Sequence, residues 1–220
     1  MLYGPPGTGK TLTVRHLLAR TPNVTAIVLT GSSIQFVTAA AEIARTFTPS
    51  IVVLEDIDLV AMERTYTPQP LLFEVLDVLD GLDGDADIAF VMTTNRVDVL
   101  EHALADRPGR VDLGVEIPLP GFETRRRLFR RYAGGLPLSE KALEAAALAA
   151  DGTTGSFAKE LMRRTVLRAA IRGDSPTDAD LAEALDTLLA TGAALTRRLL
   201  GGAGETTGAD GPADDFAGLG

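Results

Sequence analysis

Gly4-Pro5-Pro6-Gly7-Thr8-Gly9-Lys10-Thr11 spells G-x-x-x-x-G-K-T, the pattern of a loop that wraps a polyphosphate. Glycines at these spacings let successive backbone N–H groups close around β- and γ-phosphates. The lysine adds a point charge at the β/γ oxygens, and the threonine hydroxyl is placed to ligate Mg²⁺. Residues 12–19 read as a helix, whose N-terminal dipole then faces the same phosphates. Gly4, Pro5, Pro6, Gly7, Thr8, Gly9, Lys10, Thr11 and Leu12 are therefore the candidate contacts to a nucleoside triphosphate.

Working outward, short apolar runs recur at 24–29, 51–54, 88–93 and 111–117, with Met1-Leu2-Tyr3 placed to feed the loop. They alternate with helical patterns at 12–20, 33–47 and 70–79, which predicts an α/β fold with a parallel sheet and helices on both faces. The unbroken Ile51-Val52-Val53-Leu54 predicts a strand buried on both sides. After Pro118-Leu119-Pro120-Gly121 the strand-like runs stop. Four helices are expected, over 123–132, 139–150, 156–172 and 177–200, with Ser139, Ser156 and the Thr177/Asp180 pair as N-terminal caps. The organisation expected is a core over 1–120, a helical lid over 121–200 and a disordered acidic tail over 201–220.

Composition narrows the function classes. A net charge of −9 on 220 residues argues against a nucleic-acid surface. The arginines at 125–127 and 130–131 are spaced to spread around a solvated helix. With no cysteine, disulfides and thiolate metal sites are excluded. The two histidines, His16 and His102, are too few and too far apart in sequence to suggest a metal site. No apolar run reaches membrane-span length, so a cytoplasmic protein is expected.

Further chemistry follows the strands. Residues 51–56 run Ile-Val-Val-Leu-Glu-Asp, a hydrophobic strand ending in two carboxylates. Such a pair is costly to bury without a cation, so Glu55 and Asp56 are expected to face a metal and a water. Val91-Met92-Thr93-Thr94-Asn95 ends in an amide able to bond the attacking water or the γ-phosphate. Arg107-Pro108-Gly109-Arg110 holds two guanidiniums outward on a turn, suited to reaching a phosphate across a subunit boundary.

Taken in order, these residues resemble the AAA subgroup of the AAA+ ATPases, and the resemblance covers about residues 2–200. Residues 4–11 match its Walker A motif, 51–56 Walker B, and Asn95 sensor 1. Residues 93–110 are similar to its second region of homology, with Arg107 and Arg110 at the arginine-finger positions. Asp151-Gly152-Thr153-Thr154-Gly155-Ser156 is similar to the lid segment beside the nucleotide, which adds Gly155 and Ser156 to the candidate contacts. The resemblance implies a sheet in the order 5-1-4-3-2 and a four-helix lid. It further implies ATP with Mg²⁺ held by Thr11 and Glu55, and a homo-oligomeric ring, usually hexameric, that remodels a protein or complex.

The chain departs from that pattern in four places. Its carboxylates run Glu55-Asp56 where Asp-Glu is usual, which leaves Glu55 for the metal and Asp56 for water, or the two roles exchanged. His102 stands where proline is usual, and Asp106 resembles a one-residue insertion before the first finger. The segment between Gly31 and Pro49 is shorter than in peptide-threading members. The family also has sequence before the loop, so part of the first strand is expected to be missing. These departures keep a second class open, a weak or inactive ATP-binding regulatory or assembly module. A GTPase is disfavoured: Asn95-Arg96-Val97-Asp98 has Arg for the usual Lys, and the D-x-x-G of 106–109 follows it in the wrong order. Phe36 is either a threading side chain or, with Val37, Ala40 and Ala44, part of a buried helix face. The buried alternative is preferred, and with it remodelling over processive unfolding.

Overall fold

The computed structural model describes residues 1–58, 75, 77–78, 87–96 and 113–199, with side chains to residue 192. Five strands form one parallel sheet: β1 (Leu2–Tyr3), β2 (Thr25–Thr30), β3 (Ser50–Glu55), β4 (Ile88–Thr94) and β5 (Val115–Glu116). Their spatial order is β2-β3-β4-β1-β5, the 5-1-4-3-2 order expected. Helices α1 (Lys10–Arg20) and α2 (Val37–Thr46) belong to this part.

β3 shows how the sheet is held. Its side chains alternate between two apolar layers. Val52 and Leu54 join Leu29, Ile34, Val37, Ala40, Ala44 and Met92. Ile51 and Val53 join Val14 of α1, with Leu2, Leu18 and Val91 packed alongside. Val52, Val53 and Leu54 are fully buried, so the continuous apolar run reads as it should for a central strand.

One expected helix divides. Residues 31–36 form a 3₁₀ helix (Gly31–Phe36), and α2 starts only at Val37. Ile34 and Val37 turn inward, whereas Phe36 is 58% exposed. The preferred sequence reading, Phe36 as a core residue, is therefore wrong. In a 3₁₀ helix residues i and i+3 lie on one face, so Ile34 and Val37 take the buried side and Phe36 is left outside it.

α3 (Phe122–Ala133), α4 (Glu140–Ala149), α5 (Gly155–Arg172) and α6 (Asp178–Leu199) pack around their own core of Phe129, Leu143, Leu161, Met162 and Leu181. Ser139 caps α4, its hydroxyl accepting from Ala142 N at 3.1 Å. Thr177 and Asp180 cap α6 reciprocally: Thr177 N donates to Asp180 Oδ2 at 2.9 Å and Asp180 N to Thr177 Oγ1 at 3.3 Å. Ser156 does not cap α5. Thr154 does, accepting from Phe157 N at 3.4 Å, because Ser156 already lies inside the first turn.

Arg125, buried to 4% exposure, fastens the entry to this helical part. Its Nε donates to Ala147 O at 3.0 Å, its Nη1 to Pro120 O at 2.8 Å, and its Nη2 pairs with Asp151 at 2.8 Å. One guanidinium thus ties the linker after β5 to the end of α4 and to the turn that leads into α5. The helical pattern at 70–79 lies mostly outside the described residues, and the acidic tail wholly so. Among the described residues no helix is long and apolar enough to cross a membrane.

Candidate active site

Parallel pairing carries the C-terminal ends of β1, β3 and β4 to one edge of the sheet, where such folds bind ligands. β1 runs into the glycine loop. Two of its glycines have no substitute. Gly4 has φ of +141°, and a Cβ there would sit 2.3 Å from Ile117 O, against the segment that extends β5. Gly7 has φ of +77°, and its Cβ would meet Ser156 Oγ at 2.2 Å. The loop is therefore closed on one side by the sheet and on the other by the start of α5.

Lys10, the first residue of α1, is 5% exposed and folds back over the loop. Its Nζ donates to Gly4 O at 2.8 Å and Pro5 O at 3.0 Å. Burial lowers its pKa from the ordinary lysine value, and the carboxylates of Asp56 and Asp58 oppose that pull. Thr8 Oγ1 donates to Pro5 O at 2.9 Å, which stiffens the turn. Thr11 is half-buried and Leu12 is exposed, one and two residues into the helix. From the other side, Ser156 N donates to Gly7 O at 3.1 Å. The N-termini of α1 and α5 thus both approach the loop.

Glu55 is the last residue of β3, and the chain leaves the sheet at Asp56, which has φ of 53°. Asp tolerates this left-handed conformation better than most residues. Asn95, one residue beyond β4, donates through Nδ2 to Asp56 Oδ1 at 3.2 Å. Asp56 N in turn donates to Thr93 Oγ1 at 3.0 Å. The structure therefore brings together Lys10, Asp56 and Asn95, three residues singled out separately in the sequence. It adds one that sequence reasoning passed over: Asp58 is 3% exposed. Its only sequence signal was a carboxylate one residue beyond an apolar Ile57. Arg107 and Arg110 lie outside the described residues.

The donor chemistry suits ATP with Mg²⁺. Thr11, Glu55 and Asp56 offer only oxygen, which fits a hard cation that takes one or two protein ligands and completes its shell with phosphates and water. A Cβ at Gly9 would meet nothing within 4 Å, so the loop is open beside Lys10.

The family described as "ATPase family associated with various cellular activities (AAA)" matches residues 1–119, more than half of the 220. The chain belongs to the AAA family. Membership fits the P-loop parallel-sheet core described above. Among curated AAA proteins it is 34% identical over 208 residues to a proteasome-activating nucleotidase of Methanothermobacter thermautotrophicus, covering 86% of this chain and 50% of that protein. It is 33% identical over 186 residues to a 26S proteasome regulatory subunit 4 homolog of Dictyostelium discoideum, 77% of this chain and 42% of that one. It is 34% identical over 216 residues to the ATP-dependent zinc metalloprotease FtsH 2 of Sphaerobacter thermophilus, 90% of this chain and 32% of that one. The chain spans half or less of the length of each.

Proposed function

We propose that this chain binds ATP with Mg²⁺ and hydrolyses it, working as a subunit of a homo-oligomeric, hexameric ring in the cytoplasm that remodels a protein or complex. One observation carries the reading: Asn95 from β4 bonds Asp56 from β3, and Asp56 bears electrostatically on the loop lysine, Lys10. In this reading residues 1–120 are the nucleotide-binding core and 121–200 the lid. The loop glycines bind the phosphates through their N–H groups, and Lys10 turns from the carbonyls of Gly4 and Pro5 to the β/γ oxygens. Thr11 and Glu55 would hold Mg²⁺, which neutralises charge on the phosphates. Asp56 accepts the proton of the attacking water, and Asn95 keeps that carboxylate aimed. Gly155 and Ser156 bring the lid against the nucleotide, and Arg107 and Arg110 serve the neighbouring subunit's site. Nothing in the acidic composition supports a nucleic-acid partner.

Steady-state phosphate release from ATP tests the reading against an inactive ATP-binding module. Lys10→Ala is expected to weaken ATP binding roughly ten- to hundredfold, since a charge-assisted contact is worth roughly 1.5–3 kcal/mol. A Lys10→Ala protein that binds ATP as tightly as the parent would overturn the phosphate-loop assignment. ATP binding without turnover in the parent would favour the regulatory module.

The exposure of Phe36 favours a second reading of the work done, a side chain that grips a client peptide. Truncating a buried Phe costs about 3–5 kcal/mol, and a residue this exposed should cost far less. Phe36→Ala is expected to leave the melting temperature and the ATPase rate near those of the parent. Loss of unfolding of a tagged client by that variant would favour threading, and retained unfolding would favour remodelling without a Phe36 grip.

A further inference from the structure

We propose that Asp58 is the positioning residue for Asn95: its buried carboxylate holds the end of β4 so that the Asn95 amide points at Asp56. The proposal rests on the ATPase reading for its kinetic consequence, and on geometry for its structural one. The β3–β4 ladder ends at the pair Leu54 and Met92. Beyond that pair, side chains take over from backbone bonds in tying the two strand ends together. Thr93 Oγ1 accepts from Asp56 N at 3.0 Å. Asp58 Oδ1 accepts from Thr94 Oγ1 at 2.9 Å and from Asn95 N at 3.0 Å. Asn95 Nδ2 then closes the circuit on Asp56 Oδ1 at 3.2 Å. Three successive residues of one strand end are thus bonded to a three-residue turn of the other.

The division of labour within that circuit is specific. Among the described residues, Asp58 anchors the backbone N–H of Asn95 and Asp56 takes its side-chain amide. A carboxylate at 3% exposure is costly unless its lone pairs are used, and here a single oxygen takes two donors. Removing it frees the peptide that sets the direction of Asn95, while Asp56 keeps its own bond to Thr93. Among the described residues the hydrogen bonds of Asp58 run to Thr94 and Asn95 and not to the glycine loop, so it acts through Asn95. The rival role for the same side chain is electrostatic, since Asp58 also supports the charge of Lys10.

The two roles separate by variant. Asp58→Asn removes the charge and keeps an Oδ1 that can accept both donors. Asp58→Glu keeps the charge and displaces the carboxylate by one methylene. Positioning predicts that Asp58→Asn retains kcat within about threefold, whereas Asp58→Glu and Asp58→Ala lose roughly 10- to 100-fold with KM little changed, as for an ångström-scale misplacement. In an Asn95→Ala background Asp58→Ala should cost nothing further. A readout independent of turnover is available because the chain has two asparagines, Asn23 and Asn95. Selective ¹⁵N-asparagine labelling should show the Asn95 backbone and side-chain amide signals moving in Asp58→Ala and Asp58→Glu, holding in Asp58→Asn, with Asn23 unmoved in all three.

If thermal melting shows that Asp58→Ala fails to fold, the Asn and Glu variants carry the comparison alone. If the parent hydrolyses no ATP, the proposed function fails, and the amide signals still decide the positioning role. Unmoved Asn95 signals in Asp58→Glu would overturn the proposal. So would an Asp58→Asn variant that loses activity as Asp58→Glu does, or one whose main change is in nucleotide affinity. An equal loss in the Asn95→Ala background would overturn it as well.

Discussion

Arg107→Ala is expected to lower ATP turnover by roughly 10³–10⁵-fold while leaving nucleotide affinity near that of the parent. An arginine supplied to the transferring phosphoryl group in trans is worth about that much, because it neutralises charge that develops only in the transition state. Arg107 and Arg110 flank Pro108-Gly109 and stand at the arginine-finger positions of the family that the sequence resembles. The decisive form of the experiment mixes two inactive proteins. Lys10→Ala subunits are expected to hold the phosphates weakly but carry an intact arginine, and Arg107→Ala subunits to have the reverse defect. Mixed rings should recover turnover at sites where an intact loop faces an intact arginine. No recovery at any ratio, with mixed assemblies demonstrated by mass, would count against action across a boundary.

The second large effect is expected at the end of β3. Asp56→Asn should bind ATP and hydrolyse it roughly 10²–10⁴-fold more slowly, the range for losing a positioned general base. Glu55→Gln should instead raise the Mg²⁺ concentration needed for half-maximal turnover before it lowers the maximal rate. Geometry supports this assignment: Glu55 ends the strand, while Asp56 has already turned out of it and accepts the Asn95 amide. Measuring phosphate release across a Mg²⁺ titration for both variants distinguishes the roles. If the phenotypes come out reversed, the Glu-Asp order has exchanged the two functions as well as the two residues.

Much of the architecture was legible because it rests on local rules. The glycines of the loop, the apolar run of β3 and the caps at Ser139 and Thr177 each state a backbone conformation or a periodicity within a few residues. Where reading failed, a neighbour distant in sequence or a local change of helix type had intervened. Ser156 has the chemistry of a cap, yet it already lies in the first turn of α5, where its N–H donates to Gly7 O, and Thr154 takes the capping role. Phe36 has the composition of a core residue, yet the 3₁₀ turn shifts the phase of its helix and gives the buried side to Ile34 and Val37.

Asp58 marks the boundary between the two kinds of information. Sequence alone determined that a phosphate loop precedes the first helix, that an acid-terminated strand and an amide-terminated strand follow, and that helices come after them. Each of these is a pattern of spacing that one segment carries by itself. Only the tertiary structure decided that the acid after Ile57 is buried and the aromatic after Gln35 is not. It also decided which oxygen receives Asn95. Those facts depend on β3 lying beside β4, with Leu54 opposite Met92, although 37 residues separate Asp56 from Thr93. Parallel strands cannot meet through a short turn, so the packing of their ends joins segments far apart in sequence. That packing is a property of the whole core and is written in no single segment.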